Sequence, residues 1–292
     1  MTRTLPGTAL DRLGAAHEVD VWPGELPPSR GELVERARDV EGLLCLLTDV
    51  VDADLIAACP RLRAISNYAV GSDNIDSEAA AARGIEVRVT PDVLTETTAD
   101  LAFALLLAAA RRLPEGERAV RAGEWSTWEP SGWLGQDVHG ATLCIIGMGR
   151  IGGAVARRAE GFGMRVVAVG RDDPLRDVLT DADFVSIHCP LTDETRGLFG
   201  EAEFTAMKPT AVLVNTARGP IVETDALGRA LAEGEIAAAA LDVTDPEPLP
   251  VDHPLLEIPN LLVVPHIGSA THRTRERMAD LAVDNLMAAL DA

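Results

Sequence analysis

The strongest constraint on this chain is its rhythm. Short apolar runs alternate with stretches of helical spacing along nearly all of its 292 residues. Runs with no polar face fit strands buried on both sides, and the helices between them supply the crossovers that parallel strands need. Residues 42–47, 62–66 and 85–89 are strand candidates in a first region, with helical stretches at 30–38, 53–59 and 77–83. A long apolar helix over 98–112 follows the Thr90-Pro91 break. A second region has six strand candidates, at 142–146, 165–169, 184–188, 211–215, 238–243 and 261–264. The last stretch, 273–290, reads as a helix that packs back on the first region. Residues 123–140 hold Trp125, Trp128 and Trp133 among glycine and proline, which predicts a structured loop. The expected architecture is α/β: two lobes with parallel sheets and a cleft between them.

Composition removes several function classes. A formal charge of −20 repels polyanions, so neither a nucleic-acid partner nor an acidic membrane surface is expected. The longest apolar run, residues 101–110, spans about half of a bilayer core and is flanked by Asp100 and Arg111-Arg112, as a buried helix would be. No charged-then-apolar leader opens the sequence, which places the protein in the cytoplasm as an expectation. Cys45, Cys59, Cys144 and Cys189 are scattered without ligand spacing, so no disulfide framework and no metal site is expected.

The segment Gly147-Met-Gly-Arg-Ile-Gly152 fits GxGxxG. The pattern alone is weak, but it directly follows an apolar strand and opens an Ala-rich helix. In that setting small residues admit a pyrophosphate to the helix N-terminus, so Gly147, Gly149, Arg150, Ile151 and Gly152 are candidate cofactor contacts. The next strand ends in Gly170-Arg171. An acid there would accept the ribose 2′-hydroxyl of NAD, whereas glycine removes that acceptor and Arg171 can pair with a 2′-phosphate. The pair favours NADP(H); NAD(H) stays open because Asp172-Asp173 dilute the positive field.

Ligands of open parallel sheets sit outside the carboxyl ends of the strands. Each candidate strand of the second region ends in something polar or conformationally special. Beyond the glycine turn and Gly170-Arg171 these are His188-Cys189-Pro190, Asn215-Thr216-Ala217-Arg218-Gly219, Asp242 and Pro265-His266, with Gly268 close behind. Packing does not require a polar residue at one chosen end of every strand. Three of these groups suit chemistry on a carbonyl. His266 can exchange a proton near neutrality. Glu247 is the carboxylate candidate to orient that ring. Arg218, followed by Gly219, can grip a substrate carboxylate at two points. Singly, a surface histidine, a loop acid and an ordinary salt bridge explain them as well. His188 reads as structural, near the cofactor.

Together the motifs resemble the D-isomer-specific 2-hydroxyacid dehydrogenases, and within them the glyoxylate/hydroxypyruvate reductases. The resemblance rests on Asn67-Tyr-Ala-Val-Gly-Ser-Asp-Asn-Ile-Asp76, Thr90-Pro-Asp-Val-Leu-Thr-Glu-Thr-Thr-Ala-Asp100, the glycine turn with Gly161-Phe-Gly-Met164, and His188-Cys-Pro-Leu-Thr192. It continues through residues 215–219, Leu241-Asp-Val-Thr-Asp-Pro-Glu-Pro248 and Pro265-His-Ile-Gly-Ser-Ala270, covering nearly the whole chain in order. It implies two Rossmann-like or flavodoxin-like lobes, a substrate domain at 1–94 plus 272–292 and a dinucleotide-binding domain at 95–271. It further implies reduction of a small 2-oxo acid to the 2-hydroxy acid (glyoxylate to glycolate, hydroxypyruvate to D-glycerate). Arg218 would bind the substrate carboxylate with the backbone amides of Val70 and Gly71, and His266 would be the general acid with Glu247 keeping it protonated. Asp242 and the Thr216-Ala217 backbone would hold the nicotinamide carboxamide, with Thr98 near the cofactor. In the family's formate dehydrogenases a glutamine pairs with the histidine, so Glu247 implies a 2-oxo acid instead. A homodimer with the Trp-rich loop at its interface is implied as well. Alternatives are another D-2-hydroxyacid, phosphoglycerate or phosphite dehydrogenase using NAD, or a dinucleotide-sensing scaffold without turnover.

The sequence departs from that pattern in two places. It begins inside the stretch that follows the family's first strand, so that strand of the first lobe is expected to be missing. Between Arg171 and a helix at 175–180 only Asp172-Asp173-Pro174 intervene, where the family inserts a helix and a strand. The second sheet should therefore lose its edge strand and leave 165–169 as the edge.

Overall fold

Each strand candidate named above contains a strand, and every strand pairing is parallel, in the computed structural model, which describes residues 1–291. The chain forms two units, Met1–Leu94 with the segment from Ser269 onward, and Thr95–Gly268. In the first unit the elements run α1 (Ala9–Ala16), α2 (Arg30–Ala37), β1 (Gly42–Cys45), α3 (Ala53–Ala58), β2 (Ala64–Asn67), α4 (Ser77–Ala82) and β3 (Glu86–Arg88). Side chains start the helices. Ser29 and Glu32 form a capping box for α2, while Asp52 and Asp76 accept the Leu55 and Ala79 amides at 2.9 and 2.8 Å. Each such cap contributes about 1 kcal/mol.

The second unit runs α5 (Thr95–Ala110), α6 (Leu113–Arg121), β4 (Thr142–Ile146), α7 (Arg150–Glu160), β5 (Arg165–Val169), α8 (Leu175–Leu179) and β6 (Phe184–Ile187). It continues through α9 (Glu201–Ala206), β7 (Val212–Asn215), α10 (Thr224–Glu233), β8 (Ala238–Leu241) and β9 (Leu261–Val263). The chain then returns to the first unit with α11 (His272–Leu290). Sequence spacing does not reveal α1 or α6. The break before α6 comes from Arg112, whose left-handed backbone (φ 51°) ends one helix and lets Pro114 begin the next in its first turn.

The first sheet has the order β1-β2-β3. Helix α11 lies on it: Ser66 Oγ donates to Ala282 O at 2.7 Å, Tyr68 to Arg275 O at 2.7 Å and Asn285 to Val89 O at 2.9 Å. No strand of the described residues pairs with the outer edge of β1. That edge borders a cavity of about 700 Å³, lined by His17, Val19, Trp22, Leu43, Leu44 and Leu290 among others. The Met1 amine sits at its lip, donates to Asp20 O at 2.7 Å, and is held below its ordinary pKa by burial.

The second sheet has the order β5-β4-β6-β7-β8-β9. This is the dinucleotide-binding order 3-2-1-4-5-6 without its strand 3 and with β9 added beyond the sixth, so β5 is the edge, as the shortened 171–174 link predicts. Alternation along the strands sends residues to two cores. Leu143, Ile145, Phe184, Val212, Val214 and Ala240 face α5 and α7. Cys144, Ile146, Val185, Ile187, Leu213 and Leu241 face the opposite layer with Phe199, Phe204 and Leu227. Nearly all of these are completely buried, and each large side chain so placed contributes about 1.5–3 kcal/mol of transfer free energy. This two-sided core is what holds the strand ends of the unit in register. Among the described residues no helix is long and apolar enough to cross a membrane.

Candidate active site

The glycine turn stands at the switch point of the second sheet, where β5 and β6 leave β4 in opposite directions. Gly147 has a left-handed backbone (φ 90°), and a Cβ there would meet the Cys189 amide at 2.7 Å. At Gly152 a Cβ would meet Gly147 O at 2.3 Å, whereas at Gly149 nothing lies within 4 Å. Two glycines therefore close the turn, and the third leaves open space at the N-terminus of α7, which no side chain caps. Arg150 and Ile151 begin that helix. A cradle of this kind fits the pyrophosphate of a dinucleotide.

At the end of β5, the Gly170 amide donates to Asp173 Oδ2 at 2.7 Å. Arg171 is exposed beside it and its charge lowers the Glu194 carboxyl, behind the hydrogen bond from Thr192. At the end of β6, His188 Nε2 lies 2.8 Å from Ser186 Oγ and Nδ1 lies 3.4 Å from Thr216 Oγ1. Burial pushes this imidazole down to about 4, so it stays neutral. The same surroundings raise the Cys189 thiol to about 11, and Pro190 O accepts from the Thr195 hydroxyl at 2.7 Å.

Beyond β7 the backbone is braced by Asn215, a fully buried side chain. Its Oδ1 accepts the Ala217 amide at 2.9 Å and its Nδ2 donates to Arg218 O at 2.9 Å. This fixes the Thr216-Ala217-Arg218 turn from within. Gly219 follows for a steric reason: a Cβ there would overlap Thr244 O at 1.9 Å. The close approach brings the Arg218 turn against the loop that carries Glu247.

The three groups picked out for carbonyl chemistry come together. His266 Nδ1 is 2.7 Å from Glu247 Oε1, and the Thr244 amide donates to Glu247 Oε2 at 3.3 Å. Burial raises the Glu247 carboxyl, but the His266 hydrogen bond and charge, the Thr244 amide and the Arg218 charge outweigh it and hold the group below the usual range. His266 itself has a left-handed backbone, φ 52°. Asp242, nearly fully buried at the end of β8, accepts the Ile267 amide at 2.6 Å and the Gly268 amide at 2.8 Å. Thr98, buried on α5, completes this corner, since a Cβ on Gly268 would lie 3.3 Å from its hydroxyl. The Asp242 carboxylate accepting the Ile267 and Gly268 amides, and the bracing by Asn215, are placements that sequence reasoning missed; nothing in residue spacing reports which amide a side chain accepts.

Val70 and Gly71 stand at the carboxyl edge of the first sheet, after β2. Their loop is pinned by Asn67, whose Nδ2 donates to Gly71 O and Asn74 Oδ1, both at 2.9 Å. In the second unit, Trp125, Trp128 and Leu134 lie on the irregular 123–140 segment and are well exposed.

Comparison with known proteins identifies the family. Residues 103–268 match the family model for the D-isomer specific 2-hydroxyacid dehydrogenase, NAD binding domain. The chain is 50% identical to a glyoxylate reductase of Korarchaeum cryptofilum, spanning 99% of this chain and 91% of that protein. Among solved structures, a Thermus thermophilus protein shares 50% identity with a TM-score of 0.93, covering 99% of this chain and 96% of the other. An NADPH-dependent glyoxylate/hydroxypyruvate reductase from Sinorhizobium meliloti, in complex with NADP and malonate, shares 36% identity with a TM-score of 0.85, covering 98% and 91%. With its NAD(P)-binding sheet and its run of functional groups along the strand ends, this chain belongs to the D-isomer specific 2-hydroxyacid dehydrogenases, oxidoreductases that act on CH–OH donors and, in the reverse sense, reduce 2-oxo acids.

Proposed function

We propose that the chain reduces glyoxylate and hydroxypyruvate, with His266 as proton donor, Glu247 as its partner and Arg218 as the carboxylate anchor, using NADPH in preference to NADH. The observation that carries this reading is the 2.7 Å contact between His266 Nδ1 and Glu247 Oε1. A carboxylate on Nδ1 fixes the orientation of the ring, which leaves Nε2 to pass a proton to the substrate oxygen. General acid catalysis of this kind is worth about 10²–10⁴ in rate. Arg218 grips the substrate carboxylate and opposes the negative charge that develops on the reacting oxygen. The bound nicotinamide supplies the hydride. Gly147, Gly149 and Gly152 would admit its pyrophosphate, while Thr98, the Thr216-Ala217 backbone and Asp242 would surround the carboxamide.

Gly170 and Arg171 support NADPH, because they replace a carboxylate by a space and a cation. One observation favours NADH as the second reading: the Asp173 carboxylate already occupies the Gly170 amide and would repel a 2′-phosphate. A homodimer is part of the proposal, supported by the exposed Trp125, Trp128 and Leu134; a monomer by light scattering at micromolar concentration overturns that part.

The deciding experiment is a steady-state panel of small 2-oxo acids with both cofactors. Highest catalytic efficiency with glyoxylate or hydroxypyruvate and NADPH is expected. A clear NADH preference overturns the account of Gly170 and Arg171. Cofactor binding with negligible flux for every substrate overturns the reductase reading in favour of a sensing scaffold.

A further inference from the structure

Among the described residues, His266 is one of four non-glycine residues in the left-handed region of backbone space, at φ 52°. Residues without special side chains avoid that region, so the surrounding structure must hold it there. The holding group is visible. Asp242 O accepts the His266 amide at 2.9 Å, and the two oxygens of the same residue's carboxylate accept the next two amides, from Ile267 at 2.6 Å and Gly268 at 2.8 Å. Three consecutive backbone donors thus reach one residue, the first of them shared with Val264 O at 3.0 Å. The turn is also seated tightly, since a Cβ on Gly268 would meet Asp242 Oδ2 at 3.0 Å and Thr98 Oγ1 at 3.3 Å.

We propose that Asp242 is a positioning residue: it latches the 266–268 turn and so fixes His266 in the backbone conformation from which Nδ1 meets Glu247. The inference rests on the reading of His266 as proton donor. It adds a second role to the one implied by family resemblance, contact with the nicotinamide carboxamide. The two are compatible, because each carboxylate oxygen has a further lone pair to offer. A carboxylate suits the latch because it presents two charged acceptors to two adjacent amides. Asparagine presents one, and turns an N–H toward the other amide. Burial raises the Asp242 carboxyl above its usual range, against the pull of those amides, so the site keeps an acid where burial alone disfavours one.

The latch and the carboxamide role separate in the Asp242→Asn variant. The hydrogen-bonded Nδ1–H of His266 should give a downfield proton resonance in the enzyme without substrate or cofactor, assigned by its absence from His266→Ala. Asp242→Asn is expected to lose that resonance and to lower kcat about 10²-fold, as a small misplacement of a reacting group does, while KM for the cofactor stays within a few-fold. A retained resonance and kcat with a raised cofactor KM overturns the latch and leaves a residue acting on the cofactor alone. Absence of the resonance from the wild-type enzyme overturns the His266–Glu247 pair itself, and the latch with it. If Asp242→Asn does not fold, Gly268→Ala pushes the same turn from the other side. It should weaken the resonance and lower kcat about tenfold with an unchanged melting temperature; an unchanged resonance and kcat also overturn the latch.

Discussion

Two histidines end strands of the second sheet, and their surroundings assign them opposite work. His188, after β6, has a hydroxyl at each ring nitrogen, from Ser186 and Thr216. Those partners are neutral and themselves buried, so desolvation alone decides the charge and the ring stays neutral, at about 4. His266, after β9, is partly exposed and faces the Glu247 carboxylate, with Arg218 close enough to influence that acid. One histidine ties strand ends together, and the other is the one to which the proposed function gives the proton transfer. Position in the fold is shared; the charge of the partner makes the difference.

The comparison breaks first on activity. His266→Ala should lower kcat/KM for glyoxylate by about 10²–10⁴, while His188→Asn, assayed in the same way, should stay within about tenfold of wild type, since removing a neutral brace displaces no reacting group. Equal losses in the two variants would remove the distinction. Arg218→Lys comes next. Lysine keeps the charge but loses the planar two-point grip. The loss of a hydrogen bond to a charged group, worth about 1.5–3 kcal/mol, should raise KM for glyoxylate roughly 10- to 150-fold. An unchanged KM would move the carboxylate anchor elsewhere.

A third consequence concerns stability, and here His188 is the larger contributor. Its folded pKa of about 4 lies below the ordinary value near 6.5. Between those values the unfolded chain binds a proton that the folded one refuses, so stability is complete above about 6.5 and is lost as pH falls toward 4. The full shift corresponds to roughly 3 kcal/mol, and the partial exposure of the residue lowers this to on the order of 2 kcal/mol. Urea titrations of wild type and His188→Asn over that range should converge as the pH falls; a constant gap would mean the ring is not the titrating group.

How much of this was legible beforehand follows from which forces act locally. The strands β4 and β6 to β9 were readable because burial leaves at most one hydroxyl or amide side chain in each run (Thr142, Ser186, Asn215), and the edge position of β5, whose residues are partly exposed, followed from the missing residues between Arg171 and α8. The glycine turn was readable because close approach admits no side chain, a demand that Gly147 and Gly152 record directly. Arg218, Glu247 and His266 could be named because strand ends in a parallel sheet are where ligands sit. Their mutual fit was not legible. It depends on Asn215 gripping its own turn, on Gly219 passing beneath Thr244 O, and on Asp242 receiving two amides from a loop 25 residues away. Those are three-dimensional coincidences of backbone groups, which every residue carries alike. Helix α6 was hidden for a related reason: its start depends on the backbone of Arg112, an ordinary residue in an uncommon conformation.

The smallest effect sharpens the comparison most, because it separates the two turns by pH. Glu247 is held below its ordinary value: burial opposes this, but the His266 hydrogen bond and charge and the Thr244 amide prevail. For an acid whose folded pKa is depressed, the stabilisation is present above the unfolded value, about 4.3 for glutamate, and is lost as pH falls through the folded pKa. Wild type and Glu247→Gln should therefore differ by a constant amount in urea midpoint from pH 7 down to about 5, and the gap should close only below about 4.3. The side chain is 34% exposed, so solvent screening keeps the gap smaller than the one His188 produces. The His188 contribution fades over the range in which the Glu247 contribution still holds. A Glu247 gap that already closes between pH 6.5 and 5 would show that this carboxylate titrates in the histidine range instead, and would undo the pairing with His266.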